Sequence, residues 1–263
     1  MLLPTATSRR AFPLSVLFVT VLLPAISQAE IVLTQRESRG GMDVFAGAGG
    51  AVDSRDSSNN KMDLTGSLAY ADGHIAEVTE SDRFSTGAAN ARVDISVTDN
   101  VTQSSPDLIV LTANRNSTSI TQYGSGTGLA NTTARHEFRV RFNVTDTPVR
   151  YNMSGTFDPG ITSGIVGEVG SLRLYRPFTS NEFFDIRTAG AVNETGILRE
   201  GRTYEFRLWI TDRLSASASK PGPFTDISSA NINISFASVP EPNLLFTCLL
   251  GTLFCISRRN RKF

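Results

Sequence analysis

Apolar and polar residues alternate with a period of two through much of the chain. Between Ala134 and Asp146, Phe138, Val140, Phe142 and Val144 fall on one parity, and Glu137, Arg139, Arg141 and Asn143 on the other. Pro148 marks a turn, after which Val149, Tyr151, Met153 and Phe157 resume the alternation. The two segments are joined only by Thr145-Asp146-Thr147-Pro148 and therefore predict a hairpin. The same rhythm returns at Val93, Ile95 and Val97, at Leu172 and Leu174, at Tyr204 to Ile210, and at Ile232 to Phe236. One apolar and one polar face per strand is the mark of antiparallel sheets that pack on one side and meet water on the other. Many such strands punctuated by Gly, Pro, Asn and Ser predict an all-β, antiparallel, jelly-roll-like β-sandwich over residues 30–238. Residues 36–60 break the rhythm, predicting short strands near Ile31–Leu33 and Val44–Ala46 and a mobile loop at 53–60.

The two ends follow a different pattern. Phe12 to Ile26 is an apolar stretch behind Arg9 and Arg10, and Ser27-Gln28-Ala29 puts small residues where signal peptidase cuts, so residues 1–29 read as a secretory signal cleaved after Ala29. At the other end Val239-Pro240-Glu241-Pro242 precedes Asn243, the 13-residue apolar run Leu244–Ile256, and a basic close containing Arg258, Arg259, Arg261 and Lys262. Prolines cannot join a helix interior, so they set a boundary ahead of the apolar run. The basic cluster holds its end on the cytoplasmic side of a membrane. The run falls short of the roughly 20 residues that span a hydrocarbon core, which suits a transient helix. A permanent single-pass anchor is the alternative. A lipid-anchor signal would end apolar rather than basic.

The tail at 239–263 resembles the PEP-CTERM sorting signal of Gram-negative bacteria. That resemblance implies recognition by an exosortase-type membrane protease, cleavage near Pro240–Pro242, passage through the inner membrane, and a destination at the cell surface or in an exopolysaccharide or biofilm matrix. It covers about the last 25 residues and implies nothing about the chemistry of the body.

Composition narrows what that body does. The chain carries 25 residues of each charge sign, but two basics lie in 1–29, and four basics and one acid in 239–263. Residues 30–238 are left with 19 basic and 24 acidic side chains, a net charge of −5 that argues against nucleic-acid binding. Cys248 and Cys255 both lie in the tail, so the body has neither disulfide nor thiolate chemistry. No nucleophile elbow or His-Glu-x-x-His pair occurs, and no cofactor is implied. The run from Gly124 to Gly128 lacks the lysine of a phosphate loop and reads as a hairpin loop.

Three candidates remain. Asp53, Asp56 and Asp63 form a weak calcium candidate whose spacing does not fit an EF-hand. His136 shares the core parity of Phe138 and reads as a half-buried histidine at a sheet margin; His74 is the other histidine. Trp209 and Tyr175 fall on the polar parity, where exposed rings stack on sugars. The expectation is an exported, matrix-associated structural protein and not an enzyme. A jelly-roll carbohydrate-binding module is the alternative. A glycan-active enzyme, which would need two carboxylates converging across a cleft, is more distant.

Overall fold

The computed structural model describes residues 30–239 other than 49–50, 82–85, 126–127, 161–169, 218 and 221. The signal at 1–29 with Ala29, the motif residues Pro240, Glu241 and Pro242, and the basic residues Arg258, Arg259, Arg261 and Lys262 lie outside the described residues. Among the described residues there are twelve strands: β1 (Ile31–Ala48), β2 (Ala51–Lys61), β3 (Gly66–Ser81), β4 (Thr86–Ser105), β5 (Leu108–Ser125), β6 (Gly128–Val144), β7 (Val149–Asp158), β8 (Gly170–Tyr175), β9 (Glu182–Ile186), β10 (Gly190–Leu198), β11 (Arg202–Ser217) and β12 (Phe224–Ser238). They form two six-stranded antiparallel sheets. Sheet A runs β2-β1-β6-β11-β8-β9 and sheet B runs β10-β7-β12-β5-β4-β3. β1 faces β3 and β4, β6 faces β4 and β5, and β11 faces β5 and β12, giving the expected all-β sandwich.

Two expectations are corrected. The segments around Pro148 are not a hairpin, because β6 belongs to sheet A and β7 to sheet B. Their apolar faces line the core from opposite sheets instead of lying side by side. The Gly124–Gly128 run likewise joins β5 to β6 across the sheets. Period-two alternation assigns each residue a face but carries no information on which sheet a strand joins.

The other correction concerns 31–60. β1 is one continuous strand with a register shift between Leu33 and Gln35. That bulge switches the inward parity from Ile31 and Leu33 to Arg36, Ser38, Met42 and Val44, so no single alternation runs through it. The expected loop at 53–60 is strand β2, paired with β1 from Ser38↔Lys61 to Ala48↔Ala51. It forms one edge of sheet A with mostly exposed side chains. The charges of Asp53, Arg55, Asp56 and Lys61 suit an edge that must not recruit another strand.

Strand lengths divide the sandwich. Glu30 and Val239 lie at one end, the base, where Ile31 N donates to Pro106 O (2.7 Å) and Val239 N to Pro148 O (2.9 Å). β1, β4, β5, β6, β11 and β12 run from the base to the opposite, distal end. β7 to β10 pair only with the basal part of their neighbours, and β2 and β3 extend to the distal end. The core divides in the same way. The basal cluster holds Phe138, Phe142, Phe157, Tyr204, Phe206 and Phe236, with Phe142 packed at a tilt against Phe236 from the opposite sheet, 4.6 Å between centroids. The distal cluster comprises Met42, Val44, Val93, Ile95, Val97 and seven alanines.

Candidate functional site

Between the two clusters the sandwich interior is polar. Arg36 and Ser38 (β1), His136 (β6), Asp212 (β11), Asp99 (β4), Arg115 (β5) and Ser228 (β12) are all 0% exposed. They occupy core-facing positions, so each is charged or polar where the alternation calls for an apolar side chain. Two knots form. In one, Asp99 Oδ2 accepts from Ser38 Oγ at 2.5 Å and lies 2.8 Å from His136 Nε2. Arg36 Nη2 donates to the Asp99 carbonyl at 3.2 Å, and its guanidinium lies over the Phe138 ring at 5.9 Å. Burial pulls the Arg36 guanidinium below its usual pKa, opposed by the charges of Asp99 and Asp63. In the other knot, Arg115 pairs with Asp212 at 2.7 Å. Ser228 accepts from Arg115 and donates to Asp212 at 2.8 Å.

Serine, aspartate and histidine in contact invite comparison with a hydrolytic triad, but the order is wrong. A nucleophilic serine needs histidine as its immediate base, with the carboxylate behind it. Here the carboxylate stands in the middle and binds both. All three side chains are closed off from solvent, so no substrate reaches them. The expectation for His136 is corrected in detail: it faces inward, but it is fully buried at mid-strand rather than half-buried at a margin. The Asp99 carboxylate partners Nε2, while Nδ1 is buried with no hydrogen-bond partner among the described residues. For His74 only the strand, β3, is described.

The outer face of sheet A is the other concentration of chemistry. Glu37 binds Arg139 at 2.6 Å and also Arg39, Glu205 binds Arg141 at 2.6 Å, Glu137 binds Arg207 at 2.8 Å, and Asp43 binds Arg135 at 3.1 Å. Glu37 and Glu205 are nearly fully covered by these arginines, with 2% and 1% exposure. Each carboxylate is thus clamped by a cation rather than poised as an acid or base. Tyr175 donates its hydroxyl to Glu205. Burial, then the Glu205 carboxylate, push that phenol up to about 12.

Trp209 and Tyr175 both lie on this outer face, half-buried, as their parity predicts. They do not form one platform. Trp209 is opposite Ser171 and Tyr175 opposite Glu205, with the Arg207 and Arg173 pair between them. The separation is about 13 Å at the usual rise per residue. Trp209 instead borders a cavity of about 490 Å³ with Arg39, Gly41, Asp43, Arg135 and Glu137. Gly41 leaves its floor low: a Cβ there would stand 3.1 Å from the Ser57 carbonyl. The volume falls within the range of small-ligand sites.

Asp53 and Asp56 lie three apart on β2, hence on opposite faces, and Asp63 follows the strand's end. Asp53 lies 3.9 Å from Arg55 and Asp63 3.4 Å from Lys61. Among the described residues no group of three or more carboxylate, histidine or cysteine ligands gathers as a metal site. Sequence reasoning missed Arg36, Asp99, Arg115 and Asp212. The signal that could have found them was polar residues at core parity in consecutive strands. No protein-family model matches this chain, and no curated protein matches its sequence.

Proposed function

We propose that this chain is an exported surface or extracellular-matrix-associated structural protein, sorted and cleaved through residues 239–263. The observation that carries this reading is the position of Val239. Its amide makes the last backbone hydrogen bond among the described residues, to Pro148, and Pro240-Glu241-Pro242 follows at once in the sequence. The body's other end, Glu30, follows the expected signal-peptidase site and lies at the same base. Both processing events therefore act on one end and leave the distal end clear. Intact mass of the protein from the host's surface fraction tests this. A species running from Glu30 to within Pro240–Pro242 is expected; one retaining Arg258–Phe263 would make the tail a permanent anchor and end the proposal.

A second reading, a carbohydrate-binding module, is favoured by the Trp209 cavity. It gains by analogy from strand order. β5-β12-β7-β10 facing β6-β11-β8-β9 is the wrapping of an eight-stranded jelly roll, an architecture used by lectin domains. Trp209 is the only tryptophan in the chain, so its fluorescence reports on that cavity directly. A change on adding neutral oligosaccharides is expected. An unaltered spectrum across a glycan panel would remove this reading.

A further inference from the structure

A second cavity, of about 510 Å³, opens at the base on the outer side of sheet A, bounded by Thr34, Arg141, Asn143, Arg176, Phe178 and Arg202. From its chemistry we infer that it binds an acidic sugar unit, a uronate-type carboxylate carried on a pyranose ring. The inference does not rest on the export reading or on the Trp209 cavity, which lies seven residues further along β11, about 23 Å away.

Charge is the starting point. Arg141 is satisfied by Glu205 behind it, with Nε and Nη2 both on Oε2 at 2.9 and 2.6 Å. The side chains of Arg176 and Arg202 have no hydrogen-bond or ionic partner among the described residues. Three guanidiniums thus converge on one hollow in a body of net negative charge, with two of them uncompensated. Arg176, Arg202 and Arg199 all act on the Tyr204 hydroxyl beside them, holding down a pKa that burial raises. Guanidinium forks match a planar carboxylate in two-point fashion.

The wall of the cavity selects further. Phe178 is 96% exposed and sits at φ 64°, a left-handed conformation that a bulky side chain adopts only under constraint. The constraint is visible. Arg176 N donates to Asn181 O (3.0 Å), and Thr179 Oγ1 and N both donate to Arg176 O (2.9 and 3.3 Å). These bonds hold the ring outward, with the Arg141 guanidinium 5.7 Å from its centroid. An exposed ring carried on a fixed turn beside cations offers a stacking surface for a sugar's apolar face. Strain kept at an exposed site is the kind that function explains. Thr203 Oγ1 donates to Asn143 Oδ1 at 2.7 Å, which directs the amide Nδ2 away from that bond as a donor for sugar hydroxyls. A phosphate headgroup would use the cations but have no need of the ring.

Calorimetric titration of the full chain with tri-galacturonate, maltotriose and glycerol 1-phosphate tests the assignment. Tri-galacturonate is expected to bind, weakening as salt rises, whereas maltotriose and glycerol phosphate bind at least tenfold more weakly. Arg202→Ala is an exposed change and Arg176→Ala a half-buried one outside the core; both should leave the melting temperature in place while costing tenfold or more in affinity. Phe178→Gly relieves the backbone, so it should raise the melting temperature and still weaken binding. Equal binding of maltotriose, glycerol phosphate as the better ligand, no binding of tri-galacturonate, or arginine variants that bind like the parent would each overturn the inference.

Discussion

On the basal side of the polar waist the sandwich is filled by interlocking rings from both sheets, whereas the distal cluster is built of alanines and valines with Ile95 and Met42. The strands are the same strands. β6 gives Phe138, Phe142 and Val144 to one half and Ala130 and Ala134 to the other; β11 gives Tyr204 and Phe206 to one and Ala216 to the other. Buried area scales with side-chain size at roughly 25 cal/mol per Å², so the basal half carries most of the hydrophobic stabilisation. The distal half relies more on its ladders of backbone hydrogen bonds. Buried hydroxyls of Ser117, Ser119, Thr121 and Thr132 make no hydrogen bond among the described residues and weaken that half further. A long strand pair can therefore be one element by geometry and two by energetics.

The waist and the basal core give the sharpest tests. Asp212→Ala strands the Arg115 charge and should cost about 3–5 kcal/mol in chemical denaturation, whereas Arg115→Met with Asp212→Leu should be neutral to about 4 kcal/mol stabilising. If the double variant loses as much as the single, the knot is a structural requirement of the strand register. Phe142→Ala should cost about 3–5 kcal/mol, against about 1 kcal/mol for Ala134→Gly on the same strand. Similar costs would erase the contrast between the halves.

Hydrogen exchange reads the contrast without mutation. Amides of the basal pairing Phe206↔Val140 should exchange on the order of a hundredfold more slowly than those of the distal pairing Ala216↔Ala130. Uniform protection along β6 and β11 would show that they open as one unit. Phe178→Gly should stabilise the protein by about 1 kcal/mol, since glycine takes the left-handed conformation freely.

Alkaline titration is the finest probe. Tyr151, Tyr175 and Tyr204 all lie in the basal half, and burial raises all three phenols, Tyr175 to about 12. A raised folded-state value means the protonated phenol is favoured by folding. The stabilisation is complete below about pH 10, the unfolded value, and fades as pH climbs through the folded values. Absorbance at the phenolate band should show this late ionisation, and hydrogen exchange at the same pH should show basal amides loosening ahead of distal ones.

Legibility in the sequence follows the same division. Alternation exposed most of the basal strands, because large apolar and charged residues contrast strongly there, together with the distal run Val93, Ile95 and Val97, and it put Trp209 and Tyr175 on their correct face. It did not reveal β2, since an edge strand wet on both sides has no contrast to read. It mistook β6 and β7 for a hairpin, because a connection of four residues serves a turn within one sheet or an arch between two equally well. His136 and Asp212 were visible only as polar residues. Their pairing with Asp99 and Arg115 spans more than thirty positions in sequence, and nothing local announces a partner so far away. Phe178 sits in a loop without period, and its meaning comes from the arginines that folding brings beside it.

The long antiparallel pairing of β5 and β12 along the long axis has a mechanical consequence. Their bonds lie across the direction of the strands, from Phe224↔Thr121 to Ala237↔Leu108. Tension applied between the end of β12 and the distal tips would load that whole ladder at once, as a lap joint shares shear along its overlap. A body held by Val239 and pulled at its far end resists as a rivet line, not as a zipper.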